Sequence, residues 1–150
     1  MTHPPALLDS DTLSEIMKGR NPQVSHNAQE YLREYRVFQF SLMTRYEILR
    51  GLHAKGTGRQ ITAFLDRCRA SVVYPLTEDV VDRAAELYGI LRQRGQMISE
   101  GDLLIAATAI LQGLVLVTGN EDHFQRVEGL RFVNWRKSPP FPSISPPASR

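Results

Sequence analysis

The chain has 150 residues, of which 42% are hydrophobic and 23% charged, a composition typical of a single folded domain with a substantial core. Its one cysteine, Cys68, excludes both an intramolecular disulfide framework and a cluster of thiolate metal ligands, which fits a reducing compartment. The net charge of +2 is small, but arginine far outnumbers lysine, which mildly favours a polyanionic substrate, although an arginine-rich, GC-biased genome would give the same count.

Neither a secretory signal nor a membrane span is expected. The N-terminus carries no basic region followed by a long apolar stretch. The most apolar part of the chain, residues 103–117, is interrupted by Gln112 and Gly113 and falls short of the roughly twenty residues that a membrane span requires. We therefore expect a cytoplasmic protein that has no membrane partner.

The first predicted elements are a strand and a helix that meet at two acids. Residues 7–8 predict a short buried strand that ends at Asp9, and the apolar residues after it recur with helical spacing. Ligands of open α/β sheets bind beyond the carboxyl ends of the strands, so Asp9 is a candidate site residue. The alternative is that Ser10, Asp11 or Thr12 only caps the helix, a role that does not account for the first acid.

Strands and helices are expected to alternate along the rest of the chain. Apolar spacing and capping residues predict helices at 23–35, 41–51, 59–69, 77–95 and 102–112. Short runs rich in β-branched and aromatic residues predict strands at 36–40, 71–76, 114–117 and 130–133. This alternation implies an α/β fold in which helices cover both faces of a mainly parallel sheet of four to five strands. Residues 1–137 form that domain, and the proline- and serine-rich residues 138–150 predict a flexible tail.

Four polar residues are placed to reach the same end of such a sheet. Asp9 and Asn120 each come directly after a strand, and Asp102 begins a nearly all-apolar helix that has to be buried. Glu47 lies two turns into the helix after the second strand, where an acid is more often solvated. Converging carboxylates repel one another unless a cation such as Mg²⁺ or Mn²⁺ neutralises them. The chemistry indicated is therefore metal-assisted phosphodiester hydrolysis.

Four segments of the chain carry a pattern in a fixed order. Residues 7–12 read Leu-Leu-Asp-Ser-Asp-Thr, and residues 41–51 read Ser-Leu-Met-Thr-Arg-Tyr-Glu-Ile-Leu-Arg-Gly. Residues 102–107 read Asp-Leu-Leu-Ile-Ala-Ala, and residues 116–120 read Leu-Val-Thr-Gly-Asn with a phenylalanine shortly after. Together they resemble the PIN-domain family, and more closely the VapC-type toxin ribonucleases of bacterial toxin–antitoxin systems. The resemblance covers about residues 7–135.

This resemblance implies a three-layer PIN-like fold and an endoribonuclease that depends on Mg²⁺ or Mn²⁺. It implies that Asp9, Glu47 and Asp102 are metal ligands that hold the water attacking an RNA phosphodiester. Thr118 is then expected to orient the first acid through a hydrogen bond. Asn120 completes the implied catalytic set at the position where many relatives carry a fourth acid, and its neutrality favours one metal over two.

Further residues are expected to support the site or to contact RNA. Ser10, which replaces the commoner threonine of the family, and Asp11 are implied as supporting residues. Arg20, Arg45 and Arg50 lie near or on the helices that carry the site and are candidates for RNA phosphate contacts; pairing with acids of an antitoxin is an equally open alternative. His123 lies beside the Asn120 turn, within reach of the site, but a surface position is the more common outcome for such a histidine.

The resemblance also implies partners. Relatives are usually dimers, and their antitoxin inserts a segment over the active site and carries the complex to its operator DNA. We therefore expect an RNA substrate, a cognate antitoxin and a homodimer, with DNA contacted only indirectly through an antitoxin complex.

Two alternative functions are compatible with the same residues. A phosphatase of the haloacid-dehalogenase type would use Asp9 as nucleophile and Asp11 as general acid, but it requires threonine or valine where this chain has Leu13, and it needs a downstream catalytic lysine. A PIN-like module that binds RNA or a partner without cutting is favoured by the neutral Asn120 and disfavoured by the complete acidic set. Metal-dependent cleavage distinguishes this module from a nuclease.

Overall fold

Six short strands form one sheet in the computed structural model, which describes residues 3–137 and 143–144. The strands are β1 (Ala6–Leu8), β2 (Gln39–Ser41), β3 (Val72–Tyr74), β4 (Val115–Val117), β5 (Arg131–Val133) and β6 (Ser143–Ile144). The helices are α1 (Ser10–Lys18), α2 (Pro22–Tyr35), α3 (Leu42–Lys55), α4 (Gly58–Arg69), α5 (Glu78–Gln93), α6 (Glu100–Gln112) and α7 (Glu121–Phe124). The predicted α/β class is confirmed.

The sheet order is β3-β2-β1-β4-β5-β6, with β1 to β5 parallel and β6 antiparallel to β5. β1 therefore lies near the middle of the sheet. β2 and β3 follow on one side of it, and β4 and β5 follow on the other. In the register of the central strands, Leu8 lies beside Phe40 on one side and Val117 on the other. The residues immediately after β1 and β4 meet at this switch point, where open α/β sheets bind their ligands.

Helices cover both faces of the sheet, which confirms the three-layer arrangement. Leu7 packs with α5 and α6 in one hydrophobic cluster, whereas Leu8 packs with α1 to α4 in a second. The alternation reflects the period of two along a strand. β1 and β4 are buried throughout, as expected for central parallel strands.

Several element boundaries differ from the prediction, and three of the differences have a clear local cause. Asp9 itself is the N-cap of α1, so the interpretation that Ser10, Asp11 or Thr12 caps this helix is wrong. α6 begins at Glu100, because Ser99 provides the cap, and Asp102 already lies in the first turn. The strand predicted at 36–40 begins only at Gln39. Arg36, the C-cap of α2, has a positive φ of 73°, which is not a strand conformation.

The sheet has one strand more than predicted, because Ser143 and Ile144 pair with β5. The other residues of the predicted tail, 138–142 and 145–150, lie outside the described part. Among residues 3–137 and 143–144, no helix has both the length and the apolar character to cross a bilayer.

Candidate functional site

A cleft of about 360 Å³ opens beyond the carboxyl ends of β1 and β4. Its lining contains the four residues of the implied catalytic set together with both supporting residues next to the first acid, namely Asp9, Ser10, Asp11, Glu47, Asp102 and Asn120. These side chains come from three helices and the turn after β4. The convergence predicted from the sequence is thus present in the fold.

Asp9 is held in place by two hydrogen bonds. It is 5% exposed, its Oδ1 accepts from the backbone N–H of Ser10 at 2.7 Å, and its Oδ2 accepts from Oγ1 of Thr118 at 2.8 Å. The Thr118 hydroxyl oxygen in turn accepts from the backbone N–H of Asn120 at 3.0 Å. The hydrogen bond expected between Thr118 and Asp9 is therefore formed, and it ties β1 to the turn after β4.

Burial raises the pKa of Asp9 from 3.8 to about 8, because a charged carboxylate is poorly solvated there. The negative charges of Asp11 and Asp102 add to this effect, whereas the hydrogen bonds from Thr118 and Ser10 oppose it. Without a cation, Asp9 therefore keeps its proton to a higher pH than an ordinary aspartate does.

We expect the metal-free protein to lose stability at Asp9 as the pH rises. Because its folded pKa lies above its unfolded value, the folded state holds the proton more tightly, and the contribution of this group falls from about pH 4 to about pH 8. Asparagine has no carboxyl group to ionise. Between about pH 4 and about pH 8, the free energy of unfolding of Asp9→Asn should therefore rise relative to that of wild type by roughly 2–5 kcal/mol. Urea unfolding in EDTA at several pH values measures the gap; a gap that stays constant with pH would contradict the prediction.

Glu47 is not a solvated helical acid, contrary to the interpretation of its local pattern. Its Oε1 accepts a hydrogen bond from Oγ of Ser10 at 2.7 Å, and the same Oγ lies 3.3 Å from Oγ1 of Thr44. On the other side, a Cβ added to Gly101 would lie 2.7 Å from Oε2 of Glu47. The missing side chain at Gly101 thus provides the space that the carboxylate occupies, a role that sequence reasoning missed.

Asp102 reaches the cleft from the first turn of α6. Its backbone N–H donates to Oγ of Ser99 at 3.1 Å, and its side chain, 15% exposed, has Oδ2 3.2 Å from Nδ1 of His123. The same Nδ1 lies 2.8 Å from Nδ2 of Asn120. If Nδ1 of His123 carries a hydrogen, it donates to Asp102; if it does not, it accepts from the amide of Asn120. The imidazole tautomer therefore decides which of the two contacts is a hydrogen bond.

His123 is therefore both a surface residue, with its side chain 43% exposed, and a neighbour of the site. A signal was present in the sequence: Asn120 and His123 are three residues apart, which is contact spacing in a helical turn.

Asp11 is engaged on the opposite side of the cleft. Its Oδ2 accepts from the backbone N–H of Gly119 at 3.0 Å and lies 3.7 Å from Nη1 of Arg136. The guanidinium also lies 3.8 Å from Oε2 of Glu15. Arg136 therefore offsets part of the negative charge, and sequence reasoning missed it because it lies beyond the last predicted strand.

The three arginines expected to contact RNA do not line the cleft. The guanidinium of Arg50 stacks over the ring of Tyr46, with its carbon 5.2 Å from the ring centroid. Arg20 is exposed and Arg45 is partly buried. The structure does not bring these cations together with the acids.

The donor chemistry fits a hard divalent cation. Four carboxylates and one amide offer oxygen atoms in one cleft, which is the ligand type that Mg²⁺ and Mn²⁺ prefer. Within residues 3–137 and 143–144, however, no three acidic, imidazole or thiol groups are spaced as ligands of one cation. A carboxylate that accepts one hydrogen bond keeps further lone pairs, so the contacts of Glu47 with Ser10 and of Asp102 with His123 are compatible with binding of a cation.

Comparisons with known proteins identify one family. The family described as PIN domain matches residues 6–130. Among curated proteins, the chain is 26% identical over 133 residues to Ribonuclease VapC1 of Haemophilus influenzae, a match that covers 87% of this chain and 98% of that protein.

Solved structures with the same fold are toxin–antitoxin complexes. VapBC2 from Rickettsia felis, bound to a DNA fragment from its promoter, superposes with a TM-score of 0.76 at 24% sequence identity. The match covers 87% of this chain and 98% of the matched chain. VapBC-1 from nontypeable Haemophilus influenzae superposes with a TM-score of 0.75 at 25% identity, with coverage of 88% and 98%.

Proposed function

The chain belongs to the PIN-domain family, and from that premise we propose that it is a VapC-type endoribonuclease, the toxin of a toxin–antitoxin pair. The observation that carries the proposal is the convergence of Asp9, Glu47 and Asp102 in one cleft from separate elements of the fold. Its relative in Haemophilus influenzae is named a ribonuclease, which supports RNA as the substrate.

Asp9, Glu47 and Asp102 would hold Mg²⁺ or Mn²⁺ at the proposed centre. When bound, this cation would supply positive charge for an RNA phosphate and would lower the pKa of water near the scissile bond. Asn120 adds a neutral oxygen in place of a fourth acid, which favours a single cation.

The chain's own residues position these acids. Thr118 and the backbone N–H of Ser10 fix the two oxygens of Asp9, and the hydroxyl of Ser10 directs Glu47. These contacts hold the acids on rigid elements, which keeps the geometry of a reactive site within narrow limits. The partial burial of the cleft also strengthens each electrostatic interaction with the scissile phosphate.

The proposed partners are a cognate antitoxin and a second copy of this chain. Its structural relatives are VapBC complexes, one of them bound to promoter DNA, which supports an antitoxin and an indirect contact with DNA. The cytoplasm is the compartment in which such a protein meets its RNA.

A PIN-like module that binds RNA without cutting it is the second candidate. It is favoured by the neutral Asn120. The phosphatase alternative is not retained, because the chain belongs to the PIN-domain family.

Cleavage of RNA is expected to require a divalent cation. Purified protein incubated with total cellular RNA should give discrete fragments with Mg²⁺ or Mn²⁺, and EDTA should lower the rate by at least about 10³-fold, because the carboxylates alone repel a phosphate. Gel analysis of the fragments measures the effect. Equal cleavage in EDTA would refute the metal centre, and RNA binding without any cleavage would support the second candidate.

A further inference from the structure

A second cavity, of about 400 Å³, lies between α1 and α3 and opens from the acidic cleft. The two spaces share Ser10, Asp11 and Glu47 in their linings. From these residues the cavity extends along both helices towards their carboxyl ends, where Lys18 and Lys55 line it. We call this space the α1–α3 groove.

The groove is cationic at the end away from the acids. Lys18 and Lys55 are both exposed, and neither forms an ion pair with any residue of 3–137 or 143–144. Lys137, by contrast, has its Nζ 2.7 Å from a carboxylate oxygen of Glu121. Two of the chain's three lysines are thus free to bind an anion in the same groove.

A glycine keeps the groove open. Gly51 lies within α3 and lines the groove, and a Cβ added to it would meet no atom within 4 Å. Glycine weakens a helix relative to alanine, and here neither packing nor a positive φ requires it. Its structural effect is to leave this wall of the groove without a side chain.

We propose that the α1–α3 groove holds the single-stranded RNA on one side of the scissile phosphate, with Lys18 and Lys55 on its backbone phosphates. This assignment rests on the proposed ribonuclease function. Lys55 lies about 12 Å along the helix axis from Glu47, and Lys18 about 10 Å from Asp11, at 1.5 Å per residue. A strand with one phosphate at the acids therefore reaches the lysines with its next phosphates.

RNA is favoured over an acidic protein segment by the continuity of the two spaces. A phosphodiester that reacts in the cleft belongs to a longer strand, and that strand has to leave the cleft along an open side. A cationic groove that tracks the backbone is the usual means of binding a single strand without regard to sequence.

The lysines also have a simpler explanation that the experiment has to separate. Each lies in the last turn of its helix, where a cation complements the helix dipole. In that case their removal lowers the midpoint of thermal unfolding and leaves RNA binding unchanged. In the proposed case their removal weakens RNA binding and leaves the midpoint of thermal unfolding unchanged.

Binding of a short fluorescein-labelled oligouridylate tests the assignment. In an Asp102→Asn background, which prevents cleavage, Lys18→Gln combined with Lys55→Gln should raise Kd about 10-fold. The slope of log affinity against log NaCl should fall by about 0.7 per lysine. In the otherwise unchanged enzyme the same pair should raise KM about 10-fold and leave kcat within about twofold. The matched control is Arg92→Gln, an exposed cation of α5 outside the groove, which should change neither.

Filling the groove without a change of charge is the second test. Gly51→Gln should weaken binding of the same oligouridylate at least about fivefold, because its side chain enters the groove. The control is Gly89→Gln in α5, where a Cβ also meets no atom within 4 Å and the residue does not line the α1–α3 groove. Equal affinity of Gly51→Gln and wild type would overturn the assignment.

The outcomes separate this assignment from the proposed function. Lysine-dependent binding by a wild-type protein that cuts no RNA supports the groove and refutes the nuclease. Cleavage with unchanged KM and salt slope in the double lysine variant refutes the groove alone. If the lysines prove to affect only the affinity of the antitoxin, the groove belongs to the protein partner and the assignment is overturned.

Discussion

Replacing Asp102 with asparagine is expected to lower kcat/KM for RNA cleavage by on the order of 10³-fold while the fold is retained. The new side chain has nearly the same size, and the backbone N–H of residue 102 still donates to Ser99, so α6 begins as before. The substitution removes one of the negative charges that share the cleft with Asp9 and Glu47. Cleavage of total cellular RNA with Mg²⁺ measures the rate, and thermal unfolding checks the fold.

Asp122→Asn is the matched control for this substitution. Asp122 is an exposed acid of α7 that does not line the cleft, and the chemical change is identical. It should retain wild-type cleavage within about twofold. If Asp102→Asn keeps more than about a tenth of the wild-type rate, Asp102 is not an essential ligand and the site has to be reassigned.

The second large effect is expected from Gly101→Ala, which changes no charge. The added methyl group would lie 2.7 Å from Oε2 of Glu47 and 3.2 Å from Cε of Met43, so the carboxylate has to move. A displacement of about 1 Å at a reacting centre lowers the rate about 10²-fold. Single-turnover cleavage with saturating protein measures the loss, which should appear in kcat.

The fold should tolerate this alanine, because the residue is helical and has no positive φ. Gly89→Ala in α5 is the matched control, since its Cβ meets no atom within 4 Å, and alanine there should leave activity unchanged and stabilise the helix by about 1 kcal/mol. Normal cleavage by Gly101→Ala would mean that Glu47 does not need its observed position.

The fold class and the meeting of the acids were predictable because they depend on local patterns. The apolar pairs before Asp9 and Thr118 predict buried strands, and parallel strands bring the residues at their carboxyl ends to one edge of a sheet. The resemblance added Glu47, whose local pattern alone indicated a solvated residue. The carboxylate is partly buried and is contacted by Ser10 and α6, which are distant in sequence.

The features that escaped prediction depend on contacts between distant segments. Arg136 reaches Asp11 from beyond β5, and the space at Gly101 has meaning only because α3 packs against α6. The double role of Asp9, as helix cap and as a buried acid bonded to Thr118, also needs two segments at once. Such pairings depend on three-dimensional packing rather than on the spacing of residues along the chain.

The central position of β1 has a consequence for synthesis of the protein on the ribosome. β1 is made first, yet the hydrogen bond that fixes Asp9 comes from Thr118, 109 positions later. Thr118 directly follows β4, which is synthesised after α6. An incomplete nascent chain therefore lacks the assembled acids.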